Sequence, residues 1–136
     1  MKDENRKNWD IRERSFQYAL RAIKLFRATQ ARKDVAGRVL GKQYLRSATS
    51  IGANIQEAQS GESRADFIHK YGIAQKEARE SLYWLRLITE SGTLTRRQLE
   101  PLLQETDELI SVITAIIVRA KKNREKEEGG STKDEG

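Results

Sequence analysis

The chain has 136 residues and no cysteine, so disulfides and thiolate metal sites are excluded. No apolar run approaches the roughly 20 residues that a membrane-spanning helix needs, and the N-terminus is charged, without the apolar region of a signal peptide. At pH 7 the formal net charge is +6. We therefore expect one soluble, cytoplasmic domain that does not enter a membrane.

The charge is distributed unevenly along the chain. From Ile11 to Arg46 there are ten basic residues against two acidic ones, whereas residues 57–108 carry seven basic and ten acidic residues. Such an asymmetry suggests a polyanionic partner or association between complementary faces.

The spacing of apolar residues predicts an all-α fold. Apolar side chains recur three and four positions apart almost throughout, and proline occurs once. The pattern predicts four helices, at about 10–31, 34–60, 63–91 and 95–122, after an N-terminal arm of residues 1–9. Residues 123–136 contain no large apolar side chain and are expected to form a disordered charged tail. Short connections favour an antiparallel, up-down-up-down four-helix bundle.

The first two predicted helices differ in how they should pack. The first has an apolar face that we expect in the core, formed by Phe16, Ala19, Leu20, Ile23 and Phe26. The second begins at Asp34, a good N-cap, and ends near Ser60. Its residues Gly41, Ala48 and Gly52 form a strip with almost no side chain. Because an interior glycine costs about 0.5–1 kcal/mol relative to alanine, this strip predicts close approach by another helix.

The third predicted helix opens with Ser63 and Asp66, a variant of the capping box, and continues with one regular apolar seam. Two starts are open for the fourth helix. Thr95 and Gln98 form a capping box, whereas Glu100 would place Pro101 in the first turn, and the proline slightly favours this later start.

The fourth predicted helix is apolar over more than half of its circumference between Leu109 and Ala120. A helix on the outside of a monomeric bundle needs only one apolar stripe, so this surplus predicts a homo-oligomer. The alternative is that this helix lies centrally in the monomer. Four residues are candidates for the subunit contact: Trp84, Ile73, Val112 and Ile116.

Few residues suggest catalysis. There is one histidine, and neither a metal-binding motif nor a glycine-rich phosphate loop occurs, so we expect a non-enzymatic protein without metal or cofactor. Arg64 and His69 have the Arg-x4-His spacing of HEPN ribonucleases, which makes RNA cleavage a minor alternative. Five residues of helix separate the two side chains by roughly 140° around the axis, which argues against a shared site. A helix-start arginine and an exposed histidine explain the same residues.

The basic N-terminal half supplies candidate contacts to the phosphates of RNA or DNA. The candidate residues are Arg14, Arg21, Lys24, Arg27, Arg38, Lys42 and Arg46. No aromatic residue alternates with these cations, so stacking on single-stranded bases is not expected, and sequence specificity is not expected either. The alternatives are a solubilising surface and a face that binds an acidic protein.

Two segments resemble a known family. RSATSIGANIQEA at 46–58, followed by DFIHKYGIAQKEARESLYWLRLI at 66–88, resembles the bacterial four-helix bundle proteins first noticed in intervening sequences of 23S ribosomal RNA genes. Ser50, Ile51, Asn54 and Glu57 match the signature positions of that family, although many members have proline where this chain has Gly52. The resemblance implies an antiparallel four-helix bundle assembled as a homopentamer.

A more distant resemblance is to the accessory variability protein of diversity-generating retroelements. That resemblance implies association with a reverse transcriptase and with nucleic acid. Together with the basic half, it favours a nucleic-acid-binding accessory protein. The alternative is a structural or protein-interaction oligomer.

Overall fold

Four helices account for almost all of the described chain. The computed structural model describes residues 10–60 and 63–135, with side chains described through residue 129. Helix α1 spans Ile11–Gln30, α2 Val35–Gln59, α3 Arg64–Glu90 and α4 Arg96–Glu135. Each helix packs against the next in the chain, and α4 also contacts α1. The predicted four-helix bundle is confirmed, and only the end of α4 differs by more than a few residues.

Side chains at the helix starts explain where the helices begin. The Asp10 carboxylate accepts the backbone N–H of Glu13, and the Ser63 hydroxyl accepts that of Asp66. At α4, the Gln98 side chain accepts the N–H of Thr95 at 3.0 Å while Thr95 Oγ1 accepts the N–H of Gln98 at 3.2 Å. This reciprocal capping box fixes the earlier of the two predicted starts. The later start is wrong, and Pro101 lies inside the helix.

The face of α1 that enters the core is not the predicted one. Its buried residues are Ser15, Tyr18, Ala22, Leu25 and Thr29. The predicted apolar face instead points outward in part: Phe16 is 52% exposed and Leu20 is 46% exposed. The physical reason is close packing, because the small buried side chains of α1 meet the glycine strip of α2.

The glycine strip brings α2 against α1 as predicted. A Cβ atom on Gly41 would lie 2.8 Å from Thr29 Cβ, and one on Gly52 would lie 3.3 Å from Ser15 Oγ. Ordinary contacts between carbon atoms are about 3.5–4.0 Å, so at Gly41 a methyl group has no room. Glycine at 41 is therefore a requirement of packing between the two helices, and at 52 the two helices are in tight contact.

A chain of hydroxyl groups crosses the core and joins three helices. The Thr106 hydroxyl donates to the Leu102 carbonyl at 2.7 Å and lies 2.6 Å from the Tyr18 hydroxyl, which in turn accepts from Tyr44 at 3.0 Å. Because each hydroxyl has one proton, Tyr18 must donate to Thr106. Burial raises the pKa of Tyr18 to about 12. The chain satisfies every one of these buried hydroxyls.

Helix α4 continues through Glu135, across residues for which the composition predicts disorder. Lysine, arginine and glutamate have good helix propensity, so the backbone can extend the helix without a core. Between Lys121 and Gly129 no residue is buried. Arg64 of α3 reaches this segment and forms an ion pair with Glu127 at 3.0 Å.

Candidate nucleic-acid interface

Two loops meet at one end of the bundle, and the basic residues concentrate there. The Thr93 hydroxyl, in the connection between α3 and α4, donates to the Asp34 carboxylate at the start of α2 at 2.8 Å. The Gln30 side chain at the end of α1 donates to the Arg38 carbonyl at 2.9 Å. These contacts hold residues 21–42 and 86–100 together, and we call this region the loop end.

The loop end has an excess of positive charge. It contains ten basic residues and three carboxylates, whereas the rest of the described chain contains thirteen basic and fourteen acidic residues. Two of the carboxylates, Glu90 and Glu100, pair with Arg96 at 3.3 Å each. Within the part of the chain that the structure describes, the other nine cations form no ion pair: Arg21, Lys24, Arg27, Arg32, Lys33, Arg38, Lys42, Arg86 and Arg97.

Arg14 does not present a free charge. It donates to both carboxylate oxygens of Glu105, at 3.0 and 2.8 Å, and to Glu108 at 2.9 Å. The Glu105 side chain is only 3% exposed, so this is a buried ion pair between α1 and α4. Hydrogen bonding to Glu105 raises the pKa of Arg14. Of the predicted phosphate contacts, Arg14 is therefore used for packing the bundle.

Arg46 is likewise paired, with two carboxylates of α3. Its guanidinium lies 3.5 Å from Glu77 and 3.2 Å from Glu80. Burial, with a contribution from Glu80, raises the pKa of Glu77. Of the seven predicted phosphate contacts, Arg46 is therefore the second, after Arg14, that pairs with carboxylates of the bundle.

The other predicted cations lie at the loop end. Lys24, Arg27 and Lys42 are exposed, and Arg21 is half-buried. Arg38 is half-buried and donates to the Arg32 carbonyl at 2.6 Å. The sequence thus identified five of the nine cations that form no ion pair. It did not identify the loop end as a unit, because the two loops are distant in the chain.

A groove lies between α1 and α4 at the loop end. Its volume is about 360 Å³, and Arg21 and Lys24 line it together with leucine side chains of both helices. Among the described residues, no group of three or more histidine, aspartate and glutamate side chains is arranged to hold a metal ion. No described helix combines the length and the apolarity that crossing a membrane requires.

Comparisons with known proteins agree with this architecture. Residues 7–115 match the family described as 23S rRNA-intervening sequence protein. The chain belongs to this family. It is also similar to a protein of unknown function from the S23 ribosomal protein family of Bacteroides thetaiotaomicron, whose crystal structure was determined at 1.70 Å. The identity is 40%, the TM-score is 0.74, and the alignment covers 79% of this chain and 98% of that one. No curated protein matches the chain.

The family signature residues have structural partners in this chain. The Ser50 hydroxyl donates to the Arg46 carbonyl at 2.7 Å, and the Asn54 side chain donates to the Ser50 carbonyl at 2.8 Å. Ile51 is fully buried. Glu57 accepts from Lys70 of α3 at 2.7 Å, and this bond raises the pKa of Lys70. These four residues stabilise α2 and its packing on α3.

The residues predicted for a subunit contact are half-buried in the single chain. Trp84 and Ile116 pack against the core cluster, while Ile73 and Val112 are also partly covered. The large apolar side chains that are most exposed were not among these four candidates: Phe16, Leu20, Val35, Val39, Tyr83 and Val118.

The ribonuclease alternative gains no support from geometry. The Arg64 guanidinium donates to both carboxylate oxygens of Glu127 in α4, from Nε at 3.3 Å and from Nη2 at 3.0 Å. His69 is exposed one and a half turns further along α3.

Proposed function

We propose that this protein is a nucleic-acid-binding accessory protein that contacts backbone phosphates through the loop end. The observation that carries the proposal is the group of nine cations at one end of the bundle with no carboxylate partner among the described residues. The rest of the described chain is close to neutral. A local excess of positive charge attracts polyanions, and each phosphate contact releases condensed counterions.

The family description supports RNA as the first probe. The family takes its description from the intervening sequences of 23S rRNA, and the solved relative is assigned to a ribosomal protein family. Neither name states a binding partner for this chain. Binding through phosphates alone predicts little preference for sequence and a steep dependence on salt.

A charge-matched pair of variants tests the site. The loop-end variant is Lys24/Arg27/Lys42→Gln, and the control variant is Arg119/Lys121/Lys122→Gln. All six side chains are exposed, and each variant removes three positive charges. Affinity for an RNA of mixed sequence is measured by fluorescence anisotropy over a range of salt concentrations.

We expect the loop-end variant to bind more weakly at low salt and to show a smaller salt dependence. On a single strand, the slope of log K against log salt should fall by about 0.7 for each phosphate that the variant no longer neutralises. The control variant should bind like the parent protein. Equal weakening in both variants would show a response to net charge alone, and absence of binding by the parent would favour an acidic protein partner.

We further propose that binding occurs without cleavage of the RNA. Arg64 is held by Glu127, so it is not directed at a bound phosphodiester beside His69. Incubation of labelled RNA with the parent protein and with His69→Ala tests this point. Cleavage by the parent that His69→Ala abolishes would restore the ribonuclease alternative.

The homo-oligomer, a pentamer according to the family resemblance, stays a proposal with a new candidate interface. Phe16 and Leu20 are exposed on the outer face of α1, and Phe16 lines a groove of about 230 Å³ between α1 and α2 that includes Ala53. Contiguous exposed apolar patches commonly mark contact surfaces, and Phe16 and Leu20 are neighbours four residues apart on one helix face. Light scattering coupled to size exclusion should give a larger mass for the parent than for Phe16→Glu/Leu20→Glu. A monomeric parent would contradict the proposal.

The implied association with a reverse transcriptase, and the distant resemblance behind it, stay predictions.

A further inference from the structure

The outer face of α3 combines cations with an exposed aromatic ring. Lys76, Arg79, Tyr83 and Arg86 are all exposed. Their spacings of three, four and three residues place them within about 80° of one another around the helix axis. They therefore form one strip along the surface, which reaches the loop end at Arg86.

The three cations of this strip, Lys76, Arg79 and Arg86, form no ion pair with carboxylates of the described residues. Two carboxylates of α3 beside the strip, Glu80 and Glu90, have partners outside it. Glu80 pairs with Arg46 at 3.2 Å, and Glu90 pairs with Arg96 at 3.3 Å.

The Tyr83 ring is held in place yet remains open to a ligand. It is 55% exposed, and its centroid lies 5.2 Å from that of Trp84 in an edge-to-face contact with an interplanar angle of 66°. Trp84 itself packs against the core. In an edge-to-face pair Trp84 covers at most one face of the tyrosine ring, so it leaves the other free.

We propose that Tyr83, with Arg79 and Arg86 beside it, is a stacking platform for the bases of single-stranded nucleic acid. The inference rests on the proposed function and makes it more specific. A base stacks on the free face of the phenol ring, while the guanidinium groups contact the flanking phosphates or stack on neighbouring bases. Duplex nucleic acid has no unstacked base to offer, so the platform distinguishes single strands from duplexes.

The test compares an oligouridine with a duplex RNA that carries the same number of phosphates. Tyr83→Ala removes the ring, Tyr83→Phe keeps it, and Val118→Ala is a control at another exposed apolar side chain. We expect Tyr83→Ala to lose about 5- to 100-fold in affinity for oligouridine and nothing for the duplex, because stacking contributes on this scale. Tyr83→Phe and Val118→Ala should bind both RNAs like the parent.

A second experiment measures the fluorescence of Trp84, which contacts the Tyr83 ring. The chain has two tryptophans, so in a Trp9→Phe background Trp84 is the only indole. Oligouridine should change its fluorescence through the adjacent Tyr83, and the duplex should not.

Two failures are distinguishable in these experiments. If the parent binds neither RNA, both the proposed function and the stacking platform are refuted. If the parent binds RNA through the loop end but Tyr83→Ala keeps full affinity for oligouridine, only the stacking platform is refuted.

Discussion

Replacement of Gly41 by alanine tests whether α1 and α2 pack as closely as the structure shows. In an exposed helix interior this substitution stabilises a protein by about 0.5–1 kcal/mol, because alanine restricts the unfolded chain. At Gly41, however, the new methyl group would lie 2.8 Å from Thr29 Cβ and closer still to Thr29 Oγ1. One of the two helices must therefore move.

The side chain of Thr29, which faces Gly41, cannot easily move. Thr29 is fully buried, and its hydroxyl donates to the Phe26 carbonyl at 2.7 Å. A β-branched side chain has few alternative rotamers in a helix. Overpacking of this kind costs about 1–3 kcal/mol, which exceeds the propensity gain. We expect Gly41→Ala to lower the free energy of unfolding by about 1–2 kcal/mol, or Tm by about 3–7 °C.

Gly72→Ala is the matched control, because Gly72 also lies inside a helix but its added Cβ would meet no atom within 4 Å. It should raise stability by about 0.5–1 kcal/mol. Both variants are measured by urea unfolding followed by circular dichroism. If Gly41→Ala were as stabilising as Gly72→Ala, the close approach of α1 and α2 would be refuted.

Three further predictions concern polar side chains. Arg14→Leu should cost about 3–5 kcal/mol in urea unfolding, because it removes both hydrogen bonds that the guanidinium donates to the buried Glu105 carboxylate, whereas Glu108→Gln should cost less than about 1 kcal/mol. The raised pKa of Tyr18, about 12, favours the neutral phenol in the fold, so stability present below pH 10 should fall as pH rises towards 12. Tyr18→Phe should weaken that fall in alkaline unfolding curves, and an unchanged curve would contradict the assignment. Asn54→Ala should change stability by at most about 0.5 kcal/mol, because the Asn54 side chain bonds only within its own helix. A larger loss in thermal melts would reveal a further partner.

The parts of the fold that the sequence predicted depend on local interactions. The starts of the helices follow from caps within three residues, such as Ser63 with Asp66 and Thr95 with Gln98. The slight preference for a start at Glu100 was wrong because the proline was weighed above the capping box, whereas the predicted range of 95–122 begins at the correct capping residue. The glycine strip of α2 was predicted because only close approach by another helix explains the cost of two interior glycines.

The core face of α1 was not predictable from its own pattern. The apolar stripe containing Phe16 and Leu20 is the stronger signal, yet the buried face has Ser15, Ala22 and Thr29. Small side chains there are needed because α2 offers glycine at the points of contact. That requirement belongs to the pair of helices, so it cannot be deduced from α1 alone.

The candidate site was predicted in composition but not in arrangement. Arg14 was counted as a free cation because its partner, Glu105, lies 91 residues away in the chain. The predicted site was confined to the basic N-terminal half and did not include Tyr83. The spacing of Tyr83 from Arg79 and Arg86 could have been read from the sequence. Pairing across helices decides which charges stay available, and single-sequence patterns do not specify it.

The position of the cations at one end of the bundle links the two proposals about charge and assembly. If copies associate through the outer face of α1 in a ring whose axis runs along the helices, every loop end lies on the same side. If they associate as a dimer about an axis perpendicular to the helices, the loop ends point in opposite directions. A ring would bind one RNA molecule through several loop ends and gain affinity by avidity, whereas the dimer would bind two RNA molecules independently. Binding stoichiometry, measured on the parent and on Phe16→Glu/Leu20→Glu, therefore reports the symmetry of the assembly as well as its affinity for RNA.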